Sequence, residues 1–192
     1  MKRVLGIIAT LLCVLLVCGA FYFVKQKADP SAEDNIQLTN VQKLTTRNLE
    51  SNYPQTPREV VKYFNKIITC YYNETYTDDE LKRLTEQAWT LFDQELQEKN
   101  PLDQYLKSVQ ADVADYKERG RSITQTSVCD SNNVRYLTDK GDELAYVTAS
   151  YFIKEKKEYK DTNQMYVLRK DEDGNWRILV FYQIEEEASE EE

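Results

Sequence analysis

From Val4 to Val24 the chain carries no charged residue, and this run has the ~20 residues a helix needs to cross ~30 Å of hydrocarbon. Lys2 and Arg3 precede it, Lys25 and Lys27 follow it, and Phe21-Tyr22-Phe23 stand where aromatic rings favour a membrane interface. The pattern predicts an uncleaved single-pass anchor within residues 1–27. A cleaved signal peptide is the competing reading, with Cys18-Gly19-Ala20 as its cut site, but the apolar run continues past that point. Val17 stands where a lipobox needs a small residue, so Cys13 and Cys18 read as apolar filler. Two basic residues ahead of a first helix point the long C-terminal part out of the cytoplasm. Residues 28–55 are polar, hold Pro30 and Pro54, and read as a juxtamembrane spacer that docks near Leu44 to Tyr53.

The pattern then turns helical. Thr56-Pro57-Arg58-Glu59 is a capping box with proline at the first helical position. Val60, Val61, Phe64, Ile67, Ile68, Tyr71 and Tyr72 follow on one face. A second box, Thr77 to Glu80, opens a helix with a stripe from Leu81 to Leu96. Asn100 as cap and Pro101 at the first position open a third, lined by Leu102, Tyr105, Leu106, Val109, Val113 and Tyr116 and stopped by Gly120.

Beyond Gly120 the period falls to two. Ser122 to Cys129 and Val134 to Thr138 read as strands around an Asp130-Ser131-Asn132-Asn133 turn. Glu143 to Ile153 is a long, mostly apolar strand expected to be buried on much of both faces. Lys154 to Asp161 reads as a projecting loop. Gln164 to Lys170 and Asn175 to Ile184 flank the Asp171-Glu172-Asp173-Gly174 turn, and Trp176, Ile178, Val180 and Tyr182 are expected on one face. Helices first and strands afterwards predict an α+β domain over residues 56–184, about three helices on an antiparallel sheet, with an acidic tail at 185–192.

Composition adjusts this picture in three places. The net charge of -8 comes largely from Glu185, Glu186, Glu187, Glu190, Glu191 and Glu192, and the rest is near -2. No basic footprint for nucleic acid is present. The chain has no histidine, which excludes Ser-His-Asp and Cys-His catalysis and histidine-based zinc sites. Its five glycines cannot spell a phosphate-binding loop or a dinucleotide fingerprint. No catalytic residue, metal site or cofactor is therefore assigned.

The positive candidates are few. Asp171 to Gly174 has the outline of a calcium loop, but Arg169 would fall at its first ligand position and Val180 at the bidentate one, so a plain turn is expected. Cys70 and Cys129 could form one disulfide in an oxidising compartment, against two separate thiols, and nothing in their spacing demands pairing. Asp112 and Asp115, on the third helix, read as a solvated face. Tyr63, Trp89, Tyr146, Tyr166, Trp176 and Tyr182 could line an apolar cavity with a few hydroxyl donors, or serve as core and rim residues.

The closing run Tyr166-Val-Leu-Arg-Lys-Asp-Glu-Asp-Gly-Asn-Trp-Arg-Ile, behind helices packed beside a curved antiparallel sheet, resembles the nuclear-transport-factor-2-like (cystatin-like) superfamily. The stretch Asn52-Tyr-Pro-Gln-Thr-Pro-Arg-Glu-Val-Val-Lys-Tyr-Phe-Asn, behind a short anchor, is similar to an uncharacterised membrane-anchored family of Gram-positive bacteria. The resemblance covers most of Asn52 to Ile184 and implies a fold. It carries over no catalytic residue, since the superfamily holds enzymes and binding domains alike. The expectation is a membrane-tethered, extracytoplasmic, non-catalytic binding module. Its partners would be the bilayer through Val4 to Val24, an envelope protein or small apolar ligand, and a second copy of itself. The alternative is an enzyme using a pocket Asp, Glu or Tyr as general acid or base on a small apolar substrate.

Overall fold

The computed structural model describes residues 38–185. The predicted anchor and the glutamates from Glu186 onward lie outside the described residues, among which no helix is long and apolar enough to cross a membrane. The fold is α+β. Among the described residues five α-helices, α1 (Asn40–Thr45), α2 (Pro57–Asn73), α3 (Asp78–Thr90), α4 (Gln94–Lys99) and α5 (Leu102–Arg119), precede five strands. These are β1 (Arg121–Val128), β2 (Arg135–Asp139), β3 (Asp142–Glu155), β4 (Glu158–Lys170) and β5 (Trp176–Ile184).

The compact unit begins at Leu38, well before Thr56. Within the stretch read as a spacer, Thr39 and Gln42 form a capping box that opens α1. Val41, Leu44, Leu49 and Tyr53 are all buried. The Tyr53 hydroxyl donates to the Trp176 carbonyl at 2.9 Å, which ties this segment to the start of β5.

The boxes at Thr56 and Thr77 both form. The second helix stops early, however. Ile178 N–H donates to the Leu91 carbonyl and Asp93 N–H donates to the Ile178 carbonyl, both at 2.8 Å. This parallel bridge from Phe92 to Ile178 draws the backbone onto the sheet edge. Asp93 restarts the chain as α4, accepting from Glu95 N–H at 3.0 Å. Asn100 closes α4 instead of opening α5, its side chain donating to the Leu96 carbonyl at 3.0 Å. Pro101 takes the N-cap position of α5 without a side-chain cap. Gly120 ends that helix at φ 64, a left-handed conformation that glycine adopts without Cβ strain.

The sheet is antiparallel in the order β1-β3-β4-β5, with β2 beside β1 along β3. Lys154 to Asp161 is not a loop. Both long strands continue into it and turn at Lys156-Lys157, with Lys156 at φ 55. Burial along β3 alternates: Ala145, Val147, Ala149 and Tyr151 are buried, while the residues between them are half-buried or exposed. Among the described residues, helices cover one face only. The register shift between Val167 and Leu168 pairs Val167 with Val180 and Leu168 with Ile178, leaving Leu179 as a bulge. Side chains change face there. Trp176 and Ile178 point inward, whereas Val180 and Tyr182 are exposed on the outer face and Phe181 takes the inward position against Tyr166.

Candidate functional site

A cavity of about 260 Å³ lies between α2, α5 and the inner face of the sheet. From α2 it takes Phe64, Ile68, Tyr71 and Tyr72, one helical face at i, i+4, i+7 and i+8. From α5 it takes Tyr105, Ser108, Val109, Asp112 and Tyr116, again one stripe. Tyr151, Ile153, Thr162, Gln164 and Phe181 close it from the strands. Tyr72 and Tyr116 stack with ring centroids 3.8 Å apart and form one wall.

The polar groups of this apolar space are unusual. Beneath it the Tyr151 hydroxyl contacts the Asn65 Oδ1 and the Tyr166 hydroxyl, and Tyr166 donates to Gln164 Oε1 at 2.9 Å. Two hydroxyl protons cannot serve three contacts that end on amide oxygens at both sides. Turning the Asn65 amide brings its otherwise unpartnered Nδ2 to Tyr151, so that donation runs from Asn65 to Tyr151 to Tyr166 to Gln164. Tyr71 lines the cavity, but its hydroxyl is buried away from it beside Thr85 and Tyr105, where it completes no hydrogen bond of ordinary geometry.

Burial raises the pKa of Tyr71, Tyr72, Tyr105, Tyr151 and Tyr166 in each case as the main cause. A desolvated phenolate is disfavoured, so these hydroxyls stay protonated at neutral pH and act as hydrogen-bonding groups. The carboxyl at the cavity is Asp112, on the exposed rim. Burial by its neighbours, and then the charge of Asp115, raise its pKa. The solvated-face reading of this pair therefore misses that Asp112 borders the cavity. Among the described residues no group of three or more His, Cys, Asp or Glu is placed to hold a metal ion.

The model for the family Domain of unknown function (DUF6715) matches residues 1–181. The chain belongs to this family. No curated protein matches it.

In this DUF6715 chain the six aromatic candidates do not share one cavity. Tyr166 lies beneath the cavity, fully buried and edge-on to Phe64. Tyr63 faces the other way, its single hydroxyl proton shared between the Leu44 carbonyl at 3.1 Å and Gln87 Oε1 at 3.0 Å. Trp89 donates to the Asn100 carbonyl at 3.0 Å and braces the α3–α5 connection. Trp176 packs at the sheet end beside Tyr136. Tyr146 lies on the outer sheet face under the Arg135 guanidinium, and Tyr182 is exposed on that face. Cys70 is buried and Cys129 half-buried, and both are free thiols. Asp171 to Gly174 forms a hairpin turn in which Asp171 accepts from Asn175 N–H at 2.7 Å and from Arg177 Nε at 2.7 Å.

Tyr71, Tyr72, Tyr105 and Tyr116 escaped selection because each lies on a helical core stripe, where an aromatic is expected for packing alone. One signal was available: tyrosine, which carries a hydroxyl, stands at four stripe positions that phenylalanine or leucine would fill as well.

Proposed function

We propose that this protein is a membrane-tethered, extracytoplasmic, non-catalytic binding module whose ligand seat is the tyrosine-walled cavity. The observation that carries this reading is the cavity between α2, α5 and the sheet, walled by the stacked Tyr72 and Tyr116 rings with Tyr71 and Tyr105 beside them. The volume suits a small ligand, ring-sized or a short chain, apolar over most of its surface. Helices packed on one face of a bulged antiparallel sheet support the nuclear-transport-factor-2-like resemblance. The family match runs through residues 1–181 and so takes in the apolar segment with the domain, which supports a tether. The outer sheet face, which no helix among the described residues covers, exposes Leu137, Val180 and Tyr182 and leaves room for an envelope protein or a second copy.

Asp112 favours a second reading. A rim carboxyl of raised pKa beside an apolar cavity is the arrangement a general acid or base needs.

Native mass spectrometry of the full chain released gently from detergent micelles tests both readings. A reproducible small-molecule adduct, lost on denaturation and weakened in Tyr116→Ala, supports binding. A bare mass in every preparation, with no retention of added small phenols or alcohols, refutes the ligand seat. Chemical conversion of the retained molecule that stops in Asp112→Asn would favour the enzyme.

A further inference from the structure

β1 is an edge strand, paired with β3 on one side only. Cys129 N–H donates to the Thr148 carbonyl, which sets the alternation. Ser127 then bonds along the β3 ladder, and the backbone groups of Thr126 and Val128 point away from the sheet. Side chains occupy the edge at both ends of this stretch. Asn73 donates to the Ile123 carbonyl at 2.6 Å and accepts from its N–H at 2.9 Å. Arg58 Nε donates to the Cys129 carbonyl at 2.7 Å. Natural proteins blunt sheet edges in this way. Between the two devices no backbone group of another described element takes up Thr126 or Val128.

Alongside this open stretch lies a groove of about 480 Å³, walled by α1 and floored by α2, with Thr126 on the strand side. Lys43, Arg47 and Lys66 line it, and none of the three has a carboxylate within ion-pair distance among the described residues. Arg47 is held in place, stacked 4.6 Å from the Tyr63 ring centroid and donating through Nε and Nη2 to the Asn52 carbonyl. Glu74, the acidic residue of the groove, is engaged by Asn40 Nδ2 at 2.7 Å. Three cations beside free strand edge groups, in a groove whose own carboxylate Glu74 is already engaged, offer a seat for an acidic partner.

We infer that this slot receives an extended acidic peptide segment of a partner protein, added as a strand to the free edge of β1. Main-chain hydrogen bonds to Thr126 and Val128 would hold the segment, and alternate side chains, two residues apart, would reach into the groove. Carboxylates at those positions meet Lys43, Arg47 and Lys66. The arrangement separates affinity from selectivity. Backbone pairing accepts any extended chain, and the cations select an acidic one while excluding basic ones. The slot is lined by residues other than those of the tyrosine cavity.

Fluorescence anisotropy with the full chain in micelles tests this, using a labelled nonapeptide of alternating glutamate and valine. Saturable binding is expected, weakened about tenfold or more in the double variant Lys43→Glu, Lys66→Glu, whose sites are both exposed. It should also be lost when alternate peptide nitrogens are methylated, and absent for the lysine–valine counterpart. No binding, or binding unchanged by the charge reversals, overturns the proposal. Equal binding of the methylated peptide overturns strand addition, because the groove would then read charge alone. A chain ending at Glu185 is the companion variant. Peptide binding that appears only there would make the chain's own glutamate tail the occupant and overturn a separate partner.

Discussion

Tyr71→Phe should stabilise the domain, the reverse of what removing a buried tyrosine hydroxyl ordinarily does. Tyr71 is 2% exposed, and its hydroxyl completes no hydrogen bond. Burying such a group without a partner costs ~1–3 kcal/mol, while a bonded one contributes ~1 kcal/mol. Two corrections lower the expected gain. The hydroxyls of Thr85 and Tyr105 flank the site and compensate part of the lost hydration. Deleting one oxygen also leaves a void on the order of 10 Å³, worth ~0.2–0.3 kcal/mol at ~24 cal/mol per Å³. A net gain of about 1 kcal/mol remains, or roughly 3 °C in melting temperature for a domain of this size. Urea unfolding of the chain from Ala28 onward, followed by the fluorescence of Trp89 and Trp176, measures it. Tyr63→Phe is the internal control. It removes a hydroxyl bonded to Leu44 and Gln87 and should lose ~1–2 kcal/mol. If Tyr71→Phe loses stability as Tyr63→Phe does, the Tyr71 hydroxyl has a partner in Thr85 or Tyr105 and the reasoning fails.

Other expectations can be checked with the same material. Asp93 is 5% exposed, receives two guanidinium hydrogen bonds from Arg169 and caps α4. Asp93→Ala should cost ~2–4 kcal/mol, less than a fully orphaned buried partner would, because Arg169 keeps Glu95 and Asp142; a loss under 1 kcal/mol in urea would show the bridge to Ile178 stands without it. Burial pushes the Cys70 thiol up to about 11, so iodoacetamide at pH 8 should label Cys129 first, as peptide mass mapping would report; equal rates in the native protein would contradict the packing. Burial likewise holds Tyr53 and Tyr63 at about 12, above the ordinary 10.0. Their contribution is full below pH 10 and is lost as pH rises from 10 to 12, because the unfolded chain ionises first. Stability against pH should therefore fall across that window, more gently in the Tyr53→Phe, Tyr63→Phe double variant, and an unchanged slope would refute the assignment.

Local signals in the sequence carried most of the architecture. The capping boxes at Thr56 and Thr77, the stop at Gly120 and the turn at Asp171 to Gly174 all act within one turn of chain, and each forms as read. The Thr39–Gln42 box carried the same kind of signal but was submerged in a polar stretch too short to show a stripe. The break at Leu91 to Asp93 had no local signature, because the hydrogen bonds that stop α3 come from Ile178, far along the chain. The candidate site was the least legible part. A tyrosine on a helical stripe looks the same whether it fills a core or walls a cavity, and only the spacing between α2 and α5 distinguishes the two.

By itself, the sequence determined the order of elements, the α+β class, the exclusion of histidine chemistry and the placement of acidic charge at the C-terminal end. These depend on residue identity and short-range periodicity. The tertiary structure decided the bulge at Leu179 that turns Tyr182 outward and Phe181 inward, the unbonded state of the Tyr71 hydroxyl, and the cations beside the free edge of β1. Each of these depends on which distant segments meet and how their hydrogen bonds are shared, a non-local matter that no window of sequence contains.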